Sequence, residues 1–207
     1  MNFSQSILEI ITEEVALALQ TITDTTIDST MPQIPQNTTE VGRESIPLFR
    51  INHAGEIMAQ GLYRGARMFL LREKLRSQFA QAGEEEFLHL QLCVKHLESL
   101  QGTTSKLTPL SYGVAFALGA FSSICGESYA LGFVAETERQ VANHLREHVT
   151  ILDPRDQEGK KILSVMLADE ESHASWAKNE GGTTLPSLVI FAMKASSNIW
   201  KKIVRVL

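Results

Sequence analysis

The chain has 207 residues, of which 43% are hydrophobic and 21% are charged, so most of it is predicted to fold as one ordered globular unit with a full core. Its formal net charge of −5 argues against nucleic acid as a partner, since nucleic acid recruits clustered positive charge. Its two cysteines, Cys93 and Cys125, form no CxxC pair, which excludes a disulfide framework and a thiolate metal site and predicts small buried apolar residues.

The first part of the chain is predicted to hold a short helix and a linker. Residues 5–20 have the periodicity of an amphipathic helix, and residues 21–44 are rich in Thr, Asp, Pro and Gln, which is typical of a flexible linker. The start carries neither a basic region with a small-residue cleavage site nor an arginine-rich transit segment, so we expect no targeting peptide. We therefore divide the chain into residues 1–45 and a main domain over residues 46–207.

Four long helical segments follow this linker. Pro47 marks the predicted start of the first, since proline suits the first turn of a helix. No segment shows the two-residue alternation of a sheet, so the fold is predicted to be all-α and built on a helical bundle. The four segments are residues 47–72, 75–101, 127–150 and 156–179.

Residues 107–126 form a stretch of uncharged residues between Lys106 and Glu127. A helix that spans a bilayer needs about 20 apolar residues, so the length alone would suit a span. However, Pro109 and several glycine, serine and threonine residues make the stretch only moderately apolar. We therefore expect a buried helix, or a hairpin lying in a membrane interface, rather than a span.

The C-terminal segment, residues 186–207, is predicted to form a basic amphipathic helix without acidic residues. Lys194, Lys201 and Arg205 lie on its polar side. Such a helix is typical of contact with a membrane surface, but ordinary packing with a solvated basic face explains the pattern equally well. The apolar stripe on its other side consists of Leu188, Ala192, Ala195, Ile199, Ile203 and Val206.

Two copies of the motif Glu-x-x-His carry the chemistry of the sequence. One runs from Glu86 to His89 and the other from Glu170 to His173. Residues three apart on a helix face the same way, so each motif directs a carboxylate and an imidazole at one point. Each pair lies on an apolar line of its helix that holds no lysine or arginine, and a bare buried carboxylate is costly unless it binds a metal or a partner.

These apolar lines predict which residues face the bundle interior. In the second long helix the line consists of Phe79, Ala82, Glu86, His89, Cys93, Leu97 and Leu100. In the fourth long helix it consists of Leu163, Met166, Glu170, His173 and Ala177. Both lines place the Glu-x-x-His motif where a bundle expects core residues.

The first and third long helices should each supply one further glutamate. Glu56 is the candidate in the first, on a line with Tyr63. In the third, Glu138 lies on an apolar line, whereas Glu136 lies on a polar one, so we choose Glu138. The interval from Glu138 to Glu170 also matches that from Glu56 to Glu86 better than the interval from Glu136 does.

The predicted site is a pair of metal ions held by glutamates and histidines. One glutamate from each of two helices and a Glu-x-x-His from each of two others is the pattern of ferritin-like bundles that bind two iron or manganese ions. Iron and manganese suit these donors, and zinc prefers sites richer in nitrogen or sulfur. The ligands are Glu56, Glu86, His89, Glu138, Glu170 and His173, and the four glutamates are also the predicted catalytic residues.

Several other residues are candidates for supporting these ligands. His53 lies one turn before Glu56, and Asp169 directly precedes Glu170. Tyr63 shares the face of Glu56, and His144 lies on the helix of Glu138. Each also has an ordinary structural explanation. His53, Tyr63 and His144 would be backbone-bonded or packed side chains, and Asp169 would be a solvated acid. His96 has no predicted partner.

At these positions the chain resembles the demethoxyubiquinone hydroxylase family, which consists of di-iron enzymes of ubiquinone biosynthesis. The resemblance covers residues 46–207, and the first 45 residues carry none of its motifs. The matching stretches are Arg50-Ile-Asn-His-Ala-Gly-Glu56, Leu62-Tyr-Arg-Gly65, Glu85-Glu-Phe-Leu-His89, Phe116-Ala-Leu-Gly119, Leu131 to His144, and Asp169-Glu-Glu-Ser-His173.

The resemblance implies a ferritin-like four-helix bundle with extra membrane-facing helices. It implies two iron ions per chain, held by the six ligands already named, and it includes the histidine at His144. The implied reaction is an O₂-dependent monooxygenation of the ring of a polyprenylated demethoxyubiquinol. The implied surroundings are membrane lipid, with other quinone-biosynthesis proteins as further partners.

We therefore expect a peripheral membrane protein on the cytoplasmic face of the cell membrane. Three alternatives stay open at the level of the sequence. One is iron oxidation and storage in a shell, another is peroxide disproportionation at a manganese pair, and the third is a non-catalytic membrane scaffold for quinone-pathway enzymes.

Overall fold

The computed structural model describes residues 7–23 and 42–206, and all regular structure in these ranges is helical. The predicted all-α class is therefore confirmed. In chain order the helices are α1 (Ile7–Thr23), α2 (Gly42–Arg67), α3 (Glu73–Ser99), α4 (Thr108–Ile124), α5 (Glu127–Ile151), α6 (Gln157–Asn179) and α7 (Ser187–Val204).

The ferritin-like bundle consists of α2, α3, α5 and α6, where α2 and α3 form one helical hairpin and α5 and α6 form another. Two apolar layers fill its interior. One layer gathers Tyr63, Phe79 and Leu131, and the other gathers Phe49, Leu97 and Leu163. In each helix the predicted metal ligands lie between the residues of these two layers, so they occupy the middle of the bundle.

The predicted interior lines of α3 and α6 are confirmed, because every residue on them is buried. The predicted start of α2 at Pro47 is wrong, since the helix begins at Gly42 and contains Pro47 in its second turn. A proline there removes only one backbone hydrogen bond near an open helix end, which a helix tolerates. The predicted linker over residues 21–44 falls mostly on residues 24–41, which lie outside the described residues.

Helix α4 connects the two hairpins and packs directly on α2. A Cβ atom on Gly65 would lie 2.1 Å from the carbonyl oxygen of Phe116, and one on Gly119 would lie 2.2 Å from that of Leu62. These glycines therefore bring the two backbones into contact. The stretch 107–126 is one helix, so the hairpin alternative is wrong. None of the helices in the described ranges combines the length and apolar character that crossing a membrane requires.

The end of α4 departs from the prediction that both cysteines are buried. Cys93 is fully buried beside Met166, with their sulfur atoms 3.9 Å apart, but Cys125 is exposed. Cys125 forms the C-terminal cap of α4, and Gly126 follows with a φ of 120°, a value that few other residues adopt. The sharp turn into α5 therefore places Cys125 at the surface.

Helix α7 lies against α2 and α5 through a small part of its surface. Val204 is its one fully buried residue among those described, and it packs with Trp200 against Ile51 and Ala54 of α2. The predicted apolar stripe does not form this contact, because Leu188 and most of the stripe are exposed. The side of α7 that faces the protein thus differs from the stripe.

A buried side-chain hydrogen bond links α3 to the start of α6. His96, for which the sequence offered no partner, places Nε2 3.0 Å from Oδ2 of Asp156, and both side chains are at most 2% exposed. Asp156 also caps α6, because its Oδ1 accepts a hydrogen bond from the backbone of Gly159. This pairing across the bundle holds the two helices that carry the Glu-x-x-His motifs.

Candidate metal centre

The six predicted ligands meet in the middle of the bundle, and each is at most 6% exposed. Glu56, Glu86, His89 and Glu170 offer ligand atoms that all lie within 4.8 Å of one another. His173 joins them, with its Nδ1 2.9 Å from Oε1 of Glu86. Glu138 completes the set through a side-chain contact with Glu170. The structure therefore brings together every residue of the predicted ligand set.

Many of the inward-facing polar atoms of this cluster have no hydrogen-bond partner in the described part of the chain. Buried polar atoms without partners are rare, because each costs the desolvation of a polar group. Metal ions would satisfy this donor set, which consists of carboxylate oxygens and imidazole nitrogens. The atoms are Oε2 of Glu56, both carboxylate oxygens of Glu86, Nδ1 of His89, Oε1 of Glu138, Oε2 of Glu170 and Nδ1 of His173.

The electrostatics of the cluster also call for cations. Burial, followed by repulsion from neighbouring carboxylates, raises the pKa of Glu56 and of Glu138 well above the usual range. The same causes raise the pKa of Glu170. Burial opposes the ionisation of Glu86, yet the imidazoles of His173 and His89, whose Nδ1 atoms lie 2.9 Å and 3.4 Å from its carboxylate oxygens, hold its pKa low. Two divalent ions would balance four carboxylates, which makes the charge of the site suitable for a metal pair.

Each ligand histidine is oriented by a carboxylate from the opposite helix. Nε2 of His89 on α3 lies 2.9 Å from Oδ2 of Asp169 on α6. In return, Nε2 of His173 on α6 lies 2.7 Å from Oε2 of Glu85 on α3. When Nε2 donates its proton to the carboxylate, the lone pair of Nδ1 faces the centre and is free to bind a metal.

This reciprocal arrangement places Asp169, one of the candidates for supporting a ligand, against His89, and it adds Glu85, which was not among the predicted site residues. Both residues directly precede the glutamate of a Glu-x-x-His motif. The sequence therefore contains a repeated pattern that indicates these supporting acids. In it, two consecutive acidic residues are followed by a histidine three positions after the second of them. Only the packing of α3 against α6 shows that each acid serves the other motif.

The two glutamates of α5 that competed for one ligand position have different surroundings. Glu136 receives hydrogen bonds from the Arg139 guanidinium at 2.8 Å and 2.7 Å and from the Gln140 amide at 2.7 Å. Glu138 is 1% exposed and contacts Glu170 at the centre. The geometry thus favours Glu138 as the ligand, because Glu136, although only 9% exposed, is bound to Arg139 and Gln140 instead of the cluster.

Tyr63 lies beside the centre, whereas no contact within the described ranges ties His53 to the ligands. The Tyr63 ring packs edge-on to His173 at 6.2 Å, and burial together with the charge of Glu138 raises the pKa of its hydroxyl well above its usual range. His53 is buried, and burial lowers its pKa to about 4. Its Nδ1 has no hydrogen-bond partner in the described part of the chain, so the predicted bond to the backbone is not seen at this atom.

His144 lies away from the ligands, on a different face of α5 from Glu138. Its Nε2 and the Nδ1 of His148 both point at Oδ1 of Asn52, at 3.2 Å and 2.9 Å. Burial lowers the pKa of His144 to about 3 and that of His148 to about 4. Asn52 therefore holds two neutral histidines, and the predicted support of a metal ligand by His144 is not seen as a direct contact.

A cavity of about 450 Å³ reaches the centre from the side of α4 and α7. Glu56, Glu138 and Glu170 form its inner end. Val114 and Leu118 of α4, which are 46% and 43% exposed, belong to its outer wall. Most of the remaining wall is apolar, so the cavity suits a hydrophobic molecule that reaches the cluster of glutamates.

Comparison with known proteins agrees with this geometry. The family described as "Ubiquinone biosynthesis protein COQ7" matches residues 44–203. A "3-demethoxyubiquinol 3-hydroxylase" of Acinetobacter baumannii is 41% identical over 163 residues, which cover 79% of this chain and 77% of that protein. A protein of the same name from Nitrosomonas europaea is 43% identical over 157 residues, which cover 76% of each chain.

The family match covers the whole bundle with α4 and most of α7, and it includes all six residues of the buried cluster. The relatives align over three quarters or more of this chain. The chain belongs to the ubiquinone biosynthesis protein COQ7 family.

Proposed function

We propose that the chain is an O₂-dependent di-iron monooxygenase that hydroxylates the ring of a polyprenylated demethoxyubiquinol in ubiquinone biosynthesis. The observation that carries this proposal is the set of unpartnered buried ligand atoms at the inner end of an apolar cavity. The name of the relatives, 3-demethoxyubiquinol 3-hydroxylase, supplies the substrate class and the reaction.

Two iron ions would be held by the six ligands, with Glu86 between the two histidines as the central carboxylate. Iron at such a site supplies the activation of O₂, which protein side chains cannot perform alone. The protein holds the ligands in place: Asp169 and Glu85 keep both imidazoles directed at the centre. Asp169, Glu85 and the buried bundle core thus preorganise the ligands before iron binds.

The cavity would hold the quinol with its ring against Glu56, Glu138 and Glu170. Its apolar wall, including Leu62 and Phe133, excludes water and matches a polyprenyl tail. The tail favours a site that opens toward lipid, since removing each CH₂ group from an apolar environment costs about 0.8 kcal/mol.

The outer surface beside the cavity supports binding at a membrane. Five large apolar side chains on one face of α4 are between 43% and 63% exposed, and they are Leu110, Val114, Leu118, Phe121 and Ile124. On α7, Leu188 and Phe191 are also exposed, and the same helix carries the exposed basic residues Lys194 and Lys202. Apolar side chains flanked by cations are typical of a surface that enters the headgroup region of a bilayer. We therefore infer a peripheral membrane protein on the cytoplasmic face, with other quinone-pathway proteins as partners.

Co-sedimentation with lipid vesicles tests the membrane surface. Phe121→Asp should weaken binding by about tenfold or more, because a charge replaces a large apolar side chain that would enter the bilayer. Leu88→Asp is the control, since Leu88 is 51% exposed on α3 and has no place beside the cavity. Equal binding of the wild type and Phe121→Asp would contradict this docking face.

The reaction is tested with purified protein that is loaded with ferrous iron without oxygen and mixed with demethoxyubiquinol. Labelled O₂ is then admitted, and the quinone is read by mass spectrometry. One labelled oxygen in the product is expected. An unchanged quinone together with oxidised iron would favour an iron oxidase instead, and a shell-sized particle in size-exclusion chromatography would favour iron storage.

A further inference from the structure

One basic residue of α7 faces the cavity instead of the surface. Lys194 and Lys202 are exposed, as expected for a basic amphipathic helix, but Lys201 is half-buried and lines the cavity with Trp200 and Val204. The helical turn explains the difference, because Lys201 stands one turn from Ser197, which also lines the cavity. The sequence pattern alone groups Lys201 with the solvated face.

Lys201 is the one lysine or arginine among the described residues that line the cavity. It makes no ion pair or hydrogen bond with another side chain in residues 7–23 and 42–206. Burial lowers its pKa, followed by opposing effects of Glu147 and Lys194. Among the described residues, no carboxylate lies close enough to form an ion pair with this ammonium group.

The charged and titratable groups around Lys201 are few. His144 and His148 of α5 face it and are neutral, because burial lowers the pKa of each. Glu147 of α5 and Lys194 of α7 act on it from the surface side, and Arg205 acts on His148. The cavity thus has carboxylates that would bind metal at its inner end and a single ammonium on its α7 wall.

We propose that Lys201 binds a ring oxygen of the quinol and favours its singly deprotonated form. This inference rests on the proposed function. The Nζ group would donate a hydrogen bond to the oxygen, the O–H bond of the ring would lose its proton to solvent, and the ring would keep the electron pair. An electron-rich quinolate ring is the better nucleophile toward an oxidant, so Lys201 would both orient the ring and activate it.

The ionisation of a bound phenol tests this idea without turnover. The probe is a 4-nitrophenol that carries a geranyl chain, whose phenolate absorbs visible light. It is titrated with pH on the full chain loaded with Mn²⁺, which replaces iron without redox chemistry. On the wild type the bound probe should ionise at a pH lower by about one unit or more than on Lys201→Gln, because an ammonium close to an anion favours the anion.

Two variants control this measurement. Lys201→Arg should keep most of the shift, because a guanidinium retains the charge and the donors. Lys202→Gln removes an exposed charge from the neighbouring position and should behave like the wild type. Equal ionisation on the wild type and Lys201→Gln would overturn the proposal, and so would an equal effect of Lys202→Gln, which would indicate a general surface potential.

A membrane role for Lys201 is the competing outcome. If Lys201 faced lipid phosphate, Lys201→Gln would weaken binding to anionic vesicles as much as Lys202→Gln and leave the probe unchanged, which would overturn the proposal.

With demethoxyubiquinol as substrate, Lys201→Gln should lower kcat most at low pH and change KM less. If the wild type fails to hydroxylate the quinol but still shifts the probe, the proposed reaction fails while the anion site stands.

Discussion

The two sides of the metal centre differ in the kind of residue that closes them. On the side of α3 and α6, each ligand histidine contacts a carboxylate that lies farther from the centre. These carboxylates belong to Asp169 and Glu85, whose side chains are 46% and 42% exposed. On the side of α2 and α5, Glu56 and Glu138 border an apolar cavity. The centre therefore has a polar side, where side chains orient ligands, and an apolar side, where an organic molecule has room.

This division separates two requirements that conflict in one place. Oriented imidazoles need charged hydrogen-bond partners, which are stable only near water or opposite charge. A hydrophobic substrate needs a dry wall, which such partners would disrupt. The bundle satisfies both because successive faces of its helices point in different directions.

The largest effect should come from removing a ligand shared by both sides. Glu170→Ala should abolish activity and reduce bound iron, because Glu170 contacts both Glu138 and His173 at the centre. Iron content per chain and circular dichroism separate loss of metal from loss of fold. Glu136→Ala is the control on α5, since Glu136 pairs with Arg139 and not with the ligands. An active, iron-replete Glu170→Ala would contradict the ligand set.

The polar side alone is tested by neutralising its outer carboxylates. Glu85→Gln and Asp169→Asn should each weaken metal binding by about 10–100-fold, which is typical when the partner of a ligand histidine is lost. A competition titration with a chelator measures this affinity, while the apolar cavity should still bind the nitrophenol probe. Glu84→Gln is the matched control, because Glu84 is exposed beside Glu85; an equal loss in that variant would refute the assigned roles.

The apolar side depends on the close packing of α4 on α2. Gly65→Ala should destabilise the protein by about 1–3 kcal/mol, because the added Cβ would meet the backbone of Phe116 and force the helices apart. Gly113→Ala on the outer face of α4 meets no atom within 4 Å and should stabilise it by about 0.5–1 kcal/mol. Denaturant unfolding measures both changes, and similar effects of the two substitutions would show that the contact is unimportant.

The histidines on the two sides should respond to pH in opposite ways. On the polar side burial opposes protonation, but the neighbouring carboxylates of Glu86 and Asp169 raise the pKa of His89 to about 9. On the cavity side burial lowers the pKa of His148 from 6.5 to about 4. Between pH 6.5 and about pH 4, His148 binds a proton in the unfolded chain but not in the folded one. The stability of the folded state therefore falls as pH falls through this window.

This smallest effect is measured with His148→Gln. The wild type should lose about 1–2 kcal/mol more stability than the variant between pH 7 and pH 5, in urea unfolding at both values. The variant should be less stable at pH 7, because it loses the hydrogen bond with Asn52. A pH dependence that is the same in both proteins would show that His148 titrates normally in the folded state.

The bundle interior and its ligand positions can be predicted from the sequence, because both follow from helical periodicity. Residues three or four apart share a face, so the lines through Glu86 and His89 and through Glu170 and His173 are sufficient to identify the bundle interior. The choice of Glu138 over Glu136 rested on the same rule, and the surroundings of the two side chains agree with it. Local spacing is enough here because one helix carries the whole pattern.

The tertiary structure decided every feature that joins two helices. Glu85 serves His173 and Asp169 serves His89 only because α3 and α6 lie side by side, and no spacing within either helix contains that information. Asn52 and His148 are similarly far apart in the chain. Lys201 belongs to the cavity because Trp200 and Val204 turn that face of α7 inward. A basic residue on an amphipathic helix faces solvent by default, and only the packing of its neighbours changes that.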